Sequence, residues 1–190
     1  MKIIEEHITR RDVITYYVEY DRQKKRQPAI ETLEAWPWND PNAIDEQLQS
    51  NHLKPGVLSA YRAWQLAQLD YDDLVDCAIV NHIFHGQPQA LGRIDPNLIA
   101  KSQPNSNPEW WGPLSSGSDI TREWALILRP SVSSERPAKW YIEDGSGRAL
   151  ALFQRMLVYQ ELWRTAYGYI GIIPDEGSHF IQKHPELLMR

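Results

Sequence analysis

Only one cysteine, Cys77, stands in the chain of 190 residues. A lone thiol excludes an intramolecular disulfide and a cysteine-rich zinc centre. Its neighbours in "LVDCAIV" are apolar at helical spacing, which reads as an inert core thiol rather than a nucleophile. Long hydrophobic runs are also missing. No stretch approaches the roughly 20 apolar residues that a membrane span requires. The opening "MKIIEEHITRR" lacks the sustained apolar region of a signal peptide. No membrane partner is expected, and a reducing cytoplasm is the expected compartment. Positive charge is in short supply, with 20 Lys and Arg against 25 Asp and Glu and a formal net charge of −5. That balance argues against a broad nucleic-acid surface, because phosphate contacts are dominated by lysine and arginine. P-loop, dinucleotide and nucleophile-elbow motifs are absent, as are internal repeats and low-complexity tracts.

Aromatic residues are plentiful, with eight Trp and nine Tyr. They serve either as large core anchors or as a surface that stacks on planar groups. One local exception to the acidic balance is "TRRDVITYYVEYDRQKKR", Thr9 to Arg26, with six basic residues against three acidic ones. It reads as a solvated hairpin face or as a local basic patch.

Residues Lys2 to Tyr20 favour strands, since "DVITYYVEY" is dense in β-branched and aromatic residues. Asp40-Pro41 looks like a helix start, with an acid at the cap and proline in the first turn. From Pro55 to about Phe84, Leu58, Tyr61, Trp64 and Leu66 to Leu69 recur at three- and four-residue steps. That spacing predicts a helical pair, the second member beginning at Asp70. A short strand is expected through Ala90 to Ile94, with a turn at Asp95-Pro96. The segment "QPNSNPEWWGPLSSGSD" reads as a long loop carrying Trp110 and Trp111, which either close over a base or plug the edge of the core. Then "EWALILRP", "KWYIED" and "AYGYIGIIP" read as strands. "GSGRALALFQRMLVYQELW" between the last two reads as a helix with an apolar stripe of Ala149, Leu150, Leu152, Phe153, Met156 and Leu157.

The chemistry-bearing stretch is "WYIEDGSGRALAL", where a strand meets a helix through Glu143, Asp144, Gly145, Ser146, Gly147 and Arg148. Amides at a helix N-terminus lack internal partners and carry partial positive charge, so they suit a phosphate. Glycine allows close backbone approach, and an arginine fork can grip phosphate at two points. Glu143 and Asp144 could act as a base or hold a metal that bridges phosphates. In the bland alternative the glycines only shape a turn and Arg148 pairs with Asp144. His82 and His85, with Asp76 nearby, and the group Asp175, Glu176 and His179 are weaker candidates.

"WYIEDGSGRALAL" resembles the signature of the ParB/sulfiredoxin-like superfamily, in which an acidic-glycine turn and an arginine open an alanine-rich helix. "ALGRIDPNLIAKS", "EWALILRP" and "TAYGYIGIIPD" resemble its flanking elements, so the resemblance covers about Gly86 to Asp175. It implies an α+β fold, a small mixed sheet with helices. Residues 1–85 would form an N-terminal strand, hairpin and helical elaboration, and residues 86–190 the ParB/sulfiredoxin-like domain. It also implies that Gly145, Ser146, Gly147 and Arg148 bind the phosphates of a nucleotide (CTP or ATP, with Mg²⁺) or of a phosphorylated small molecule. Glu143 and Asp144 would then serve phosphoryl transfer or phosphodiester hydrolysis. Gly147 occupies the position of the family's histidine or cysteine, which removes support for sulfiredoxin chemistry. The alternative is a non-catalytic protein-interaction or regulatory module of phage or plasmid origin, meeting a protein partner through a tryptophan-rich surface.

Overall fold

The computed structural model describes residues 1–54, 56–80, 87–97, 121–135, 137–158 and 166–189. Its strands are β1 (Lys2–Thr9), β2 (Tyr61–Leu69), β3 (Cys77–Ile79), β4 (Gln89–Ala90), β5 (Leu126–Pro130), β6 (Trp140–Asp144) and β7 (Ala166–Pro174). Its α-helices among the described residues are α1 (Arg10–Lys25), α2 (Pro41–Ser50), α3 (Tyr71–Val75), α4 (Ser146–Val158) and α5 (His179–Lys183). The strands form one sheet in the order β1-β2-β7-β5-β6-β3-β4. It is mixed: β5 pairs antiparallel with β6 and parallel with β7, while β3 pairs parallel with β6 and antiparallel with β4. The chain is therefore α+β.

Two compact units divide the chain. The first comprises Met1–Ile4 with Leu66–Ile170, the second Glu5–Gln65 with Gly171–Arg190. In the first unit, α4 buries Ala149, Leu150, Leu152 and Phe153 in a cluster with Leu126, Leu128, Ile142 and Ile170. Those helix positions recur at three- and four-residue steps, so one stripe faces the sheet. Cys77 lies in β3 rather than on a helix, fully buried, with its Sγ donating to the Asp73 carbonyl at 3.3 Å. Burial pushes its thiol far above the ordinary range, and Asp73 and Asp76 add to that. An inert thiol is the result.

In the second unit, "DVITYYVEY" is helix, not strand. Thr9 accepts from the Asp12 amide while the Asp12 carboxylate accepts from the Thr9 amide, a reciprocal cap that starts α1. Val13, Ile14, Tyr17 and Val18 are then buried together on one helical face, and that burial outweighs their β preference. Arg26 closes the helix in the left-handed region at φ 53°. The opposite correction applies to "YRAWQLAQL", which forms β2. It lies between β1 and β7 and buries residues on both faces, Trp64 and Leu66 as well as Ala67 and Leu69. Such a strand shows no alternation that would mark it. Asp40 does cap α2, accepting from the Asn42 and Ala43 amides, with Pro41 in the first turn. Asp70 likewise caps α3.

The cap gives a direct check on the α1 assignment. Thr9→Ala should lower the unfolding free energy by about 1 kcal/mol in urea titration, while a strand through these residues would lose almost nothing.

Candidate functional site

The corner between β6 and α4 is built around two buried arginines. The first, Arg129, was not singled out from the sequence. It sits in β5 opposite Tyr141, and its guanidinium lies 4.3 Å from the centroid of the Tyr141 ring. Glu135 meets it at two points, with Nη1 to Oε2 at 2.7 Å and Nη2 to Oε1 at 2.6 Å. Glu143 accepts from Nε at 2.7 Å. Glu135 also accepts from the Val132 amide at 2.8 Å, which ties in the turn after β5. All three side chains are nearly buried, at 5, 6 and 11% exposure. Burial opposes the Arg129 charge, but Glu135 and Glu143 offset it and its pKa is raised.

Local backbone geometry delivers Glu143 to this group. Leu128 pairs with Ile142 and Ile127 with Asp144, so the register shifts and Glu143 has no residue opposite it. Such a bulge re-aims side chains. Tyr141 is held protonated: burial first, then Glu143 and Glu135, push its hydroxyl up to about 12, with Arg129 opposing.

The second arginine, Arg148, belongs to the glycine turn. Its Nη2 donates to Asp144 Oδ2 at 2.7 Å and to the Ala125 carbonyl at 3.3 Å, and the side chain is only 5% exposed. Gly145 makes room for it. At φ +94° Gly145 occupies backbone that favours glycine, and a Cβ there would stand 2.7 Å from Arg148 Nη2 and 2.5 Å from Leu126 Cδ2. Its carbonyl accepts from the Ala149 amide at 2.9 Å, which opens α4. Ser146 directs its hydroxyl back to the Ile142 carbonyl at 3.4 Å. Gly147 differs from Gly145, because a Cβ there would meet nothing within 4 Å.

The structure thus brings Glu143, Asp144, Gly145, Ser146, Gly147 and Arg148 together at one corner, but it turns the Arg148 guanidinium inward. Of the groups proposed to hold phosphate, Gly147 has open space on the side where a Cβ would stand. Asp144 is engaged by Arg148 and Glu143 by Arg129. No group of three or more His, Cys, Asp or Glu suited to a metal ion occurs among the described residues. Trp110, Trp111, His82 and His85 lie outside the described residues. Asp175 forms an ion pair with Arg10 within the second unit. Trp36 and Trp64 are buried, and Trp38, Trp124 and Trp140 are partly buried, so the described tryptophans act mainly as core anchors. The missed residue left a signal: an arginine inside the apolar "EWALILRP" needs a buried partner.

Compared with protein-family models, curated proteins and solved structures, the chain matches none of them.

The two glycines should respond in opposite directions. Gly145→Ala, strained at positive φ, should cost about 1–3 kcal/mol of stability. Gly147→Ala, in open helix, should gain about 0.5–1 kcal/mol. Thermal or urea unfolding of both variants tests this. Alkaline pH gives a second check. The unfolded chain loses the Tyr141 proton near pH 10 while the folded chain holds it to about 12. The stabilising contribution is therefore complete below pH 10 and falls as pH rises from there toward 12. In Tyr141→Phe that part of the alkaline loss should disappear.

Proposed function

We propose that this chain acts by binding, as a non-catalytic interaction or regulatory module, and not by chemistry at the glycine turn. One observation carries the reading: Glu143, Asp144 and Arg148, the residues that would do chemistry there, are each held in an ion pair with a buried arginine or carboxylate partner. A general base has to reach the proton it removes, and a carboxylate locked to a guanidinium is poorly placed for that. The thiol chemistry of sulfiredoxins finds no support either, since Gly147 stands at the signature position and Cys77 is buried in β3. Among the described residues no helix is long and apolar enough to cross a membrane.

The test is an assay of phosphate release from ATP and CTP with Mg²⁺, together with cleavage of single- and double-stranded nucleic acid. Turnover should stay at background. Glu143→Gln should leave that background unchanged while lowering the unfolding midpoint, because it weakens a buried charged hydrogen bond worth about 1.5–3 kcal/mol. Turnover abolished by Glu143→Gln in a folded protein would contradict the reading.

A second reading keeps the ParB/sulfiredoxin-like assignment and nucleotide binding. What supports it is the element order β5, β6, α4, β7 and the open space beside Gly147. A phosphate would then rest on main-chain amides without a guanidinium clamp. A nucleotide at 100 times its dissociation constant should stabilise the chain by about 2.7 kcal/mol. Gly147→Asp, which suits the helix dipole but repels phosphate, should abolish that shift. No shift with ATP, CTP or ADP removes this reading.

A further inference from the structure

A cavity of about 310 Å³ opens in the second unit, lined in part by three arginines: Arg10, Arg11 and Arg62. The three differ in how they are held. Arg10 is buried and fixed on every arm: Nε donates to the Tyr61 carbonyl at 3.3 Å, Nη1 to the Trp38 carbonyl at 3.2 Å, and Nη2 to Asp175. Its charge is balanced by Asp175. Arg11 is exposed and rests its guanidinium over the Trp38 ring, 5.5 Å from the centroid. Trp38 itself stacks on Trp36, with ring centroids 5.9 Å apart. Arg62 is exposed on β2 and has no hydrogen bond or ion pair among the described residues. The cavity wall therefore carries two positive charges with no carboxylate partner among those residues.

The placement of these arginines runs against helix physics. Arg10 and Arg11 are the first two residues of α1, directly after its cap Thr9. The positive end of a helix disfavours cations. Local conflicts of this kind concentrate at functional sites. Part of the cavity lining is fixed by the hydrogen bonds that join Arg10 to Asp175 and to the Trp38 carbonyl, and Asn39 also lines it. A fixed lining that also carries two charged forks is preorganised for an anion.

We propose that this cavity binds the phosphate dianion of a small phosphomonoester, clamped between Arg11 and Arg62. Charge selects the ligand class. Two uncompensated guanidinium groups match a phosphate carrying about −1.5 to −2 at pH 7 better than a single carboxylate. Planar forks also suit paired phosphate oxygens. The volume lies at the small end of ligand pockets, which fits a phosphate and a compact organic group. Trp38 does not offer a stacking face for that group, since Arg11 and Trp36 pack on it. Recognition of the organic part falls to Asn39 and the Thr9 side.

Isothermal titration calorimetry at constant ionic strength tests the proposal, with inorganic phosphate and ribose 5-phosphate as probes and chloride as the control. Saturable binding of both probes, tighter for the ester, is expected. Arg11→Ala and Arg62→Ala should each weaken it about tenfold or more, the loss of one charged hydrogen bond. Both side chains are exposed, so the unfolding midpoint should hold. Binding of inorganic phosphate with no gain from the ester would overturn the phosphomonoester assignment. Heat no greater than that of chloride, or binding that survives both substitutions, would overturn the site. Binding lost in Gly147→Asp and kept in the arginine variants would assign the anion to the glycine turn and also overturn it.

Discussion

The first unit depends on how Arg129 is neutralised. A guanidinium in the middle of a buried strand has a large desolvation penalty unless its charge and donors are matched. Here Glu135 and Glu143 surround it, one from the turn after β5 and one from a bulge in β6. The two carboxylates fix where the turn folds back and where the register shifts. That shift sets the end of β6 and therefore the glycine turn and the start of α4. Arg148 is paired at the start of α4 with one carboxylate, Asp144, through Nη2. The corner resembling a phosphate site is thus held by two guanidinium groups engaged with three carboxylates.

Much of this corner was legible in the sequence. The strands of "EWALILRP", "KWYIED" and "AYGYIGIIP" and the helix after Gly145 read correctly, because each has a local signature: an apolar run, a glycine break or a 3.6-residue stripe. The juxtaposition of Glu143, Asp144 and Arg148 followed from chain continuity. The direction of the Arg148 guanidinium did not, because it depends on Leu126 and Ala125, more than twenty residues away. The partners of Arg129 are not legible locally, although an arginine within an apolar strand signals that it needs them. The N-terminal half read poorly for a different reason. Val13, Ile14, Tyr17 and Val18 have helical spacing but strand-favouring side chains, and the T-x-x-D cap at Thr9 was the signal that should have decided between them. In β2 the three- and four-residue recurrence of Tyr61, Trp64 and Leu66 to Leu69 suggested helix, and burial on both faces erased the period of two.

Arg10 in the second unit is buried and paired with a carboxylate like the arginines of the first, but two of its neighbours are used differently. Arg129 and Arg148 are sequestered with carboxylates, whereas Arg11 and Arg62 stand exposed, Arg11 resting on the Trp38 ring. In a chain of net charge −5, two guanidinium groups without a carboxylate partner among the described residues at one cavity single it out as the place to look for an anion. Buried charge specifies local geometry in both units, and the exposed pair Arg11 and Arg62 distinguishes the second.

The central claim is that Glu143 is a structural partner of Arg129. A double-mutant cycle measures this directly, using Arg129→Met, Glu143→Gln and the double variant in urea unfolding at pH 7. A coupling energy of about 1–3 kcal/mol is expected for a contacting charged pair in one network. A coupling near zero, with Glu143→Gln leaving stability intact, would mean that Glu143 is available for chemistry and would contradict the account.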